Sequence, residues 1–212
     1  MKNKFLLALL FMVASGYASM AQSVSIGPRI GATFAKITLS EEEDGLSNDD
    51  IESNPGIQFG AVANFRINDM FSIQPELLYV QKGFKIGEDD MYVKGRSEYF
   101  EVPVLAKVSL GTERLHAFVT GGPTIGYWAG GEHAMKIGDS EARESYEFED
   151  SDNRLEVGAS FGIGAAYRMD QGELNLDVRY GLGFTSLHET KNGEATTKNR
   201  MLGVSLAYLF NL

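Results

Sequence analysis

Eight stretches of this chain alternate apolar and polar residues with a period of two, and no other feature restricts the fold as much. In the first, Val24, Ile26, Pro28, Ile30, Ala32 and Phe34 share one side, and Ser25, Arg29 and Thr33 share the other. The same rhythm recurs at 57–67, 71–82, 100–109, 115–127, 155–167, 174–184 and 202–210. Successive side chains of a strand point to opposite faces, so each stretch reads as a strand with one apolar face. No residue on any of these apolar faces is charged, although charged residues make up 23% of the chain.

The connections alternate in length. Short turns fall at Asn68–Met70, Gly111–Glu113 and Met169–Gly172. Long polar connections run over Ser40–Gly56, Lys85–Ser97, Ala129–Asn153 and Ser186–Asn199. An all-β, eight-stranded antiparallel up-and-down barrel produces this rhythm, with the short turns and both termini at one rim. A soluble eight-stranded barrel would alternate too, with its apolar side inward. The aromatic residues separate the two readings. Phe34, Phe59, Tyr79, Phe100, Tyr127 and Phe184 fall near the long-loop ends of the apolar faces, and Phe65, Phe71, Tyr167, Tyr208 and Phe210 near the short-turn ends. Between them lie mostly Ala, Val, Ile and Leu, with Phe161 an exception. Two aromatic girdles around an aliphatic band fit a transmembrane barrel, because rings settle at the headgroups. A soluble core has no reason to sort aromatics by depth.

Residues 1–21 read as a cleaved export signal, leaving 22–212 as the barrel domain. Lys2 and Lys4 precede the apolar run Phe5–Val13, and Ser19-Met20-Ala21 offers small residues at −3 and −1 before Gln22. No run of 18 apolar residues exists to span a bilayer as a helix. The expected location is the outer membrane, with the termini in the periplasm and the four long loops outside.

Composition excludes several chemistries. There is no Cys, hence no disulfide, thiol nucleophile or thiolate metal site. Losing Lys2 and Lys4 takes the formal charge from −10 to −12, which disfavours nucleic acid as a partner. With 24 Gly and 5 Pro alongside 13 Phe and 9 Tyr, the chain suits closely packed strands.

The polar faces point into the barrel and carry Arg29, Arg66, Lys82, Lys107 and Arg179 against Glu76, Glu101, Glu156 and Asp177. Eight strands leave a lumen that side chains fill, so near-balanced charges imply a salt-bridged plug. A narrow ion path lined by the same residues is the alternative. The first loop is acidic (Glu41-Glu42-Glu43-Asp44, Asp49, Asp50, Glu52), as is the third (Glu132, Asp139, Glu141, Glu144, Glu147, Glu149, Asp150, Asp152). Such loops suit solvent, divalent cations at carboxylate oxygens or an extracellular protein, although no calcium-loop motif is present. His133 and His188 lie on long loops, with Asp139 and Ser186 nearby, and His116 at the other rim. No nucleophile elbow or zinc-protease motif accompanies them. The expectation is no enzyme, no cofactor and no metal.

Several strands are similar to those of the PorT-like, porin-like outer-membrane barrels of Bacteroidetes. The resemblance is carried by Ile26–Ala35, Phe71–Phe84 (FSIQPELLYVQKGF), Tyr99–Leu105 (YFEVPVL), Gly121–Tyr127 (GGPTIGY) and Asp177–Gly183 (DVRYGLG). It covers nearly the whole mature chain and extends more loosely to OmpA- and OmpX-type barrels. It implies the fold, the outer membrane with its lipid as surroundings, and the barrel-assembly machinery as a partner during biogenesis. The chain ends Phe210-Asn211-Leu212, with Phe210 two residues short of the usual terminal aromatic. For activity the resemblance implies little beyond an association of one member with secretion. A non-enzymatic barrel with a structural or surface-interaction role is expected; a narrow pore, a secretion-associated component and an outer-rim enzyme are the alternatives.

Overall fold

The computed structural model describes residues 24–39, 47–88, 90–149, 152–187 and 196–212. The acidic run Glu41–Asp44, residue Asp150, His188 and the export signal lie outside them. Nine antiparallel strands account for most of the described chain: β1 (Val24–Leu39), β2 (Ile51–Arg66), β3 (Phe71–Glu88), β4 (Met91–Gly111), β5 (Leu115–Ile137), β6 (Ser140–Ser145), β7 (Leu155–Met169), β8 (Gly172–Gly183) and β9 (Thr197–Asn211). Eight close into a ring, each pairing with the next and β9 returning to β1. The ninth, β6, pairs among the described residues only with the upper end of β5, from Glu132↔Ser145 to Ile137↔Ser140.

Closure gives every ring strand two neighbours, the condition for satisfying backbone polar groups in lipid. Apart from Pro55, four prolines sit inside ring strands, and none of these can donate to the ladder. The pairing skips beside them and resumes unshifted: β1 meets β9 at Ile26↔Phe210 and again at Arg29↔Ala207, around Pro28. Similar gaps flank Pro75, Pro103 and Pro123. Proline thus costs local hydrogen bonds here without breaking the strand.

The barrel is inside-out relative to a soluble protein. Ile30, Leu77, Val104, Val119, Ile163 and Val178 are exposed on its outer surface, while Arg29, Glu76, Lys107 and Asp177 are buried within. The girdle residues Phe34, Phe59, Phe65, Phe71, Phe100, Tyr127, Tyr167, Phe184 and Phe210 all lie on that outer face. Tyr79 packs between Phe59 and Phe100, and Tyr208 against Phe210. Phe161 meets Tyr180 across β7 and β8 in the aliphatic band, a mid-depth aromatic pair.

The long connections are shorter than expected because the strands continue beyond the girdle. Lys85–Ser97 is not a loop: β3 and β4 stay paired from Tyr79↔Phe100 out to Glu88↔Met91. Likewise β5 runs to Ile137 and turns through Gly138, at φ +59°, into β6. The upper parts of β2, β3, β4, β5 and β6 form an open five-stranded sheet, here termed the blade. A bulge between Ser53 and Gln58, containing Pro55, and another between Glu98 and Tyr99 mark where it leaves the barrel. Each adds a residue to one strand and so exchanges that strand's two faces.

Candidate functional site

The lumen charges fall into three stacked clusters. In the middle, Arg179 of β8 grips Glu76 of β3 with two bonds of 2.8 Å each. Arg29 of β1 pairs with Asp177 of β8 and lies 3.7 Å from Glu76. Gln74 donates to Glu76 at 2.6 Å. These four charges reach across the barrel from three strands and neutralise one another. Space for them comes partly from Gly162, where a Cβ would stand 2.7 Å from the Arg179 side chain.

Towards the blade, Lys82 of β3 lies between Glu101 of β4 (2.6 Å) and Glu156 of β7 (2.5 Å). Its ammonium sits 4.5 Å from the centre of the Tyr99 ring. Asn199 of β9 donates to Glu156 at 2.5 Å and to the Tyr99 hydroxyl at 3.2 Å. Towards the short turns, Lys107 donates to Asn175 at 2.6 Å and approaches Glu173 at 3.4 Å, over the Phe118 ring. His116 and Arg168 complete the shell of Glu173 at 3.5 and 3.6 Å. A buried charge is tolerated only when partnered in this way.

Eight of the nine lumen residues anticipated from alternation are deeply buried here. Arg66 is half-buried and lines a vestibule of about 750 Å³ at the short-turn mouth, beside Arg114, Arg168 and His116. Between the middle and upper clusters only about 30 Å³ is open, among Gln58, Lys82, Glu156, Arg179 and Asn199, roughly the room one water needs. Glu173, the hub of the lowest cluster, was not singled out in the sequence, yet it shares parity with Asn175, Asp177 and Arg179. Carrying the alternation one step toward the turn would have found it.

An aromatic cap covers the lumen at the blade end. Tyr99 stacks on Trp128 at 6.1 Å, and Tyr146 and Phe148 approach Trp128 to 4.6 and 5.1 Å. Leu78, Val80 and Met201 pack on the same cluster, joining β3, β4, β5, β9 and the segment after β6. Arg154 locks that segment by donating to the Trp128 carbonyl at 3.1 Å and lying over the Phe148 ring. The Tyr146 hydroxyl donates to Asp152 at 2.9 Å; burial, then that carboxylate, push its pKa above the ordinary tyrosine value. None of these cap contacts was anticipated from the sequence, since residues 129–153 read as a polar loop.

Residues 20–189 match the family described as outer membrane protein beta-barrel domain, about four fifths of the chain. The chain belongs to that family. Membership gives it the outer membrane as its location and a barrel as its architecture. Among solved structures, the outer-membrane beta-barrel protein OprG from Pseudomonas aeruginosa superposes with a TM-score of 0.52 at 12% identity, covering 91% of this chain and 97% of that one. Neisserial surface protein A matches with a TM-score of 0.46 at 14% identity (89% and 99% covered). Ail, the attachment invasion locus protein of Yersinia pestis, gives 0.40 at 14% (90% and 100%). At such identities the likeness concerns the fold alone. No curated protein sequence matches.

The two described histidines of this outer-membrane barrel stand apart from one another. His133 stacks against Tyr146 at 4.9 Å on the blade, whereas His116 faces the opposite vestibule. Among the described residues no three His, Asp or Glu side chains are placed to hold a metal ion.

Proposed function

We propose that this protein is a non-conducting, non-enzymatic outer-membrane barrel that acts at the cell surface, through the blade. The observation that carries the reading is the filled lumen: three charge clusters lie under an aromatic cap, and the opening between the middle and upper ones is about 30 Å³. A channel for ions or solutes needs a continuous wet path, so the barrel is an anchor and the blade the working part.

Two features of the blade support contact with another protein outside the cell. Its face on the lumen side carries Met91, Val93, Met135 and Ile137, all exposed and adjacent through the pairs Val93↔Met135 and Met91↔Ile137. A clustered apolar patch in water marks an interaction surface. Among the described residues its last strand, β6, pairs on one side only, and a free edge accepts an added strand. The charges Glu141, Arg143 and Glu144 on that edge guard it against indiscriminate pairing.

In this reading the signal at 1–21 is removed, the termini and short turns are periplasmic, and the blade is extracellular. The strand motifs favour the PorT-like branch of Bacteroidetes barrels, with a secretion-associated role as a narrower version of the same surface function. Because the chain has no Cys, single Cys probes report its orientation. Ala142→Cys on β6 should react with a membrane-impermeant maleimide on intact cells, and Asp170→Cys only after the envelope is opened. The reverse pattern would contradict the proposal.

A further inference from the structure

On the face of the blade continuous with the lipid-facing side of the barrel, cations gather on an otherwise acidic chain. One cross-strand row reads Glu52, Lys85, Lys94, Ala134, Arg143, through direct pairs of β2, β3, β4, β5 and β6. The row above pairs Tyr92, Lys136 and Glu141, and the row below pairs Arg96, Glu132 and Ser145. Lys85 and Lys94 are direct partners, an arrangement of like charges that costs stability by itself. Lys94, Lys85 and Lys136 also converge on one ring, at 4.1, 5.6 and 5.7 Å from the centre of Tyr92.

The neighbouring carboxylates are each engaged by a cation, Glu132 and Glu141 within the hollow and Glu52 at its margin. Glu52 lies 3.6 Å from Lys85, Glu132 3.4 Å from Arg96 and Glu141 3.0 Å from Arg143. Lys94, at the centre, makes no ion pair among the described residues. Beside the small side chain of Ala134 lies a hollow of about 90 Å³ lined by Lys94, Arg96 and Arg143 together with Asn54, Glu132 and Glu141, the two carboxylates each held by an arginine. Two guanidinium forks and a central ammonium around a small floor are the donor set that suits a tetrahedral oxyanion.

We propose that this hollow binds a phosphate monoester. Phosphate oxygens would bridge Lys94, Arg96 and Arg143 and relieve the repulsion between Lys94 and Lys85. Position favours a lipid headgroup as the source. Lys94 lies six residues beyond the girdle residue Phe100 on the same face, roughly 15 Å above it along a tilted strand. That choice of source rests on the blade standing outside the membrane, as proposed above; the phosphate chemistry does not.

The refolded barrel in detergent is offered phosphatidic acid or phosphatidylcholine, and retained lipid is counted by native mass spectrometry. Inorganic phosphate is titrated separately by calorimetry. Phosphatidic acid should be retained in preference to phosphatidylcholine. Lys94→Gln, which removes one charge-assisted contact, and Ala134→Asp, which fills the hollow with an anion, should each weaken retention roughly tenfold. Lys36→Gln, an exposed lysine on β1, should change nothing, and heat-dependent gel mobility confirms that each variant has folded. Phosphate binding that depends on Lys94, without lipid preference, supports the same site with a soluble ligand. Equal retention of both lipids with no phosphate binding dependent on Lys94, or a preference for phosphatidic acid that neither variant weakens, overturns the proposal.

Discussion

Glu76 is the residue on which the middle of the lumen depends, because two arginines, on β1 and β8, share its carboxylate. Glu76→Ala leaves Arg29 and Arg179 with Asp177 alone and should cost about 3–5 kcal/mol, as breaking a buried ion pair does. Urea unfolding of the barrel in detergent reads this directly, and Glu76→Gln should cost less because it keeps an acceptor. Trp128 reports on the other end. It is the only Trp in the chain and is 3% exposed, so its emission should be blue-shifted and poorly quenched by acrylamide. Phe148→Ala removes part of its cover and should shift the emission red; an unchanged spectrum would mean the cap does not pack as described. Strand parity makes Arg29, Glu76, Lys82 and Asp177 legible as inward residues from the sequence alone. Parity says nothing about partners, however, and the bond from Arg29 to Asp177 joins residues 148 positions apart.

At the scale of elements, the strands through the bilayer were legible and the blade was not, for a physical reason. In lipid the outward face is apolar; above the girdle that face meets water and the pattern inverts. On β4 the outward residues change from Phe100 and Val102 to Arg96 and Lys94, while Val93 and Met91 occupy the other face. A reader tracking one apolar face sees the strand end at Phe100. The bulges before Gln58 and after Tyr127 hide the continuation further by exchanging faces within β2 and β5. Two tests belong here. Val104→Arg or Val178→Arg places a cation on the lipid-facing band and should reduce stability in vesicles by about 2–4 kcal/mol. Gly138→Val forces a branched side chain into the left-handed turn between β5 and β6 and should cost about 1–2 kcal/mol. Hydrogen exchange should show that loss confined to 132–145, with the ring strands still protected.

For the whole molecule, the division of labour follows from where charge is neutralised and where surface is left open. Inside the ring, charged groups from β1, β3, β4, β7 and β8 neutralise one another, and the aromatic cap shuts the end nearer the blade. The vestibule at the other end is lined by His116 and Glu173, which join the lowest cluster through Lys107. The blade, by contrast, presents an apolar face, a charged face and an edge that no described strand covers. Electrical recording from the refolded barrel in a planar lipid bilayer tests this account most directly. It should be silent across the voltage range in which the membrane itself is stable, and Glu76→Ala should raise conductance above that silence if the middle cluster is the seal. Stable, discrete channels from the unaltered protein would contradict the filled lumen and, with it, the assignment of function to the blade.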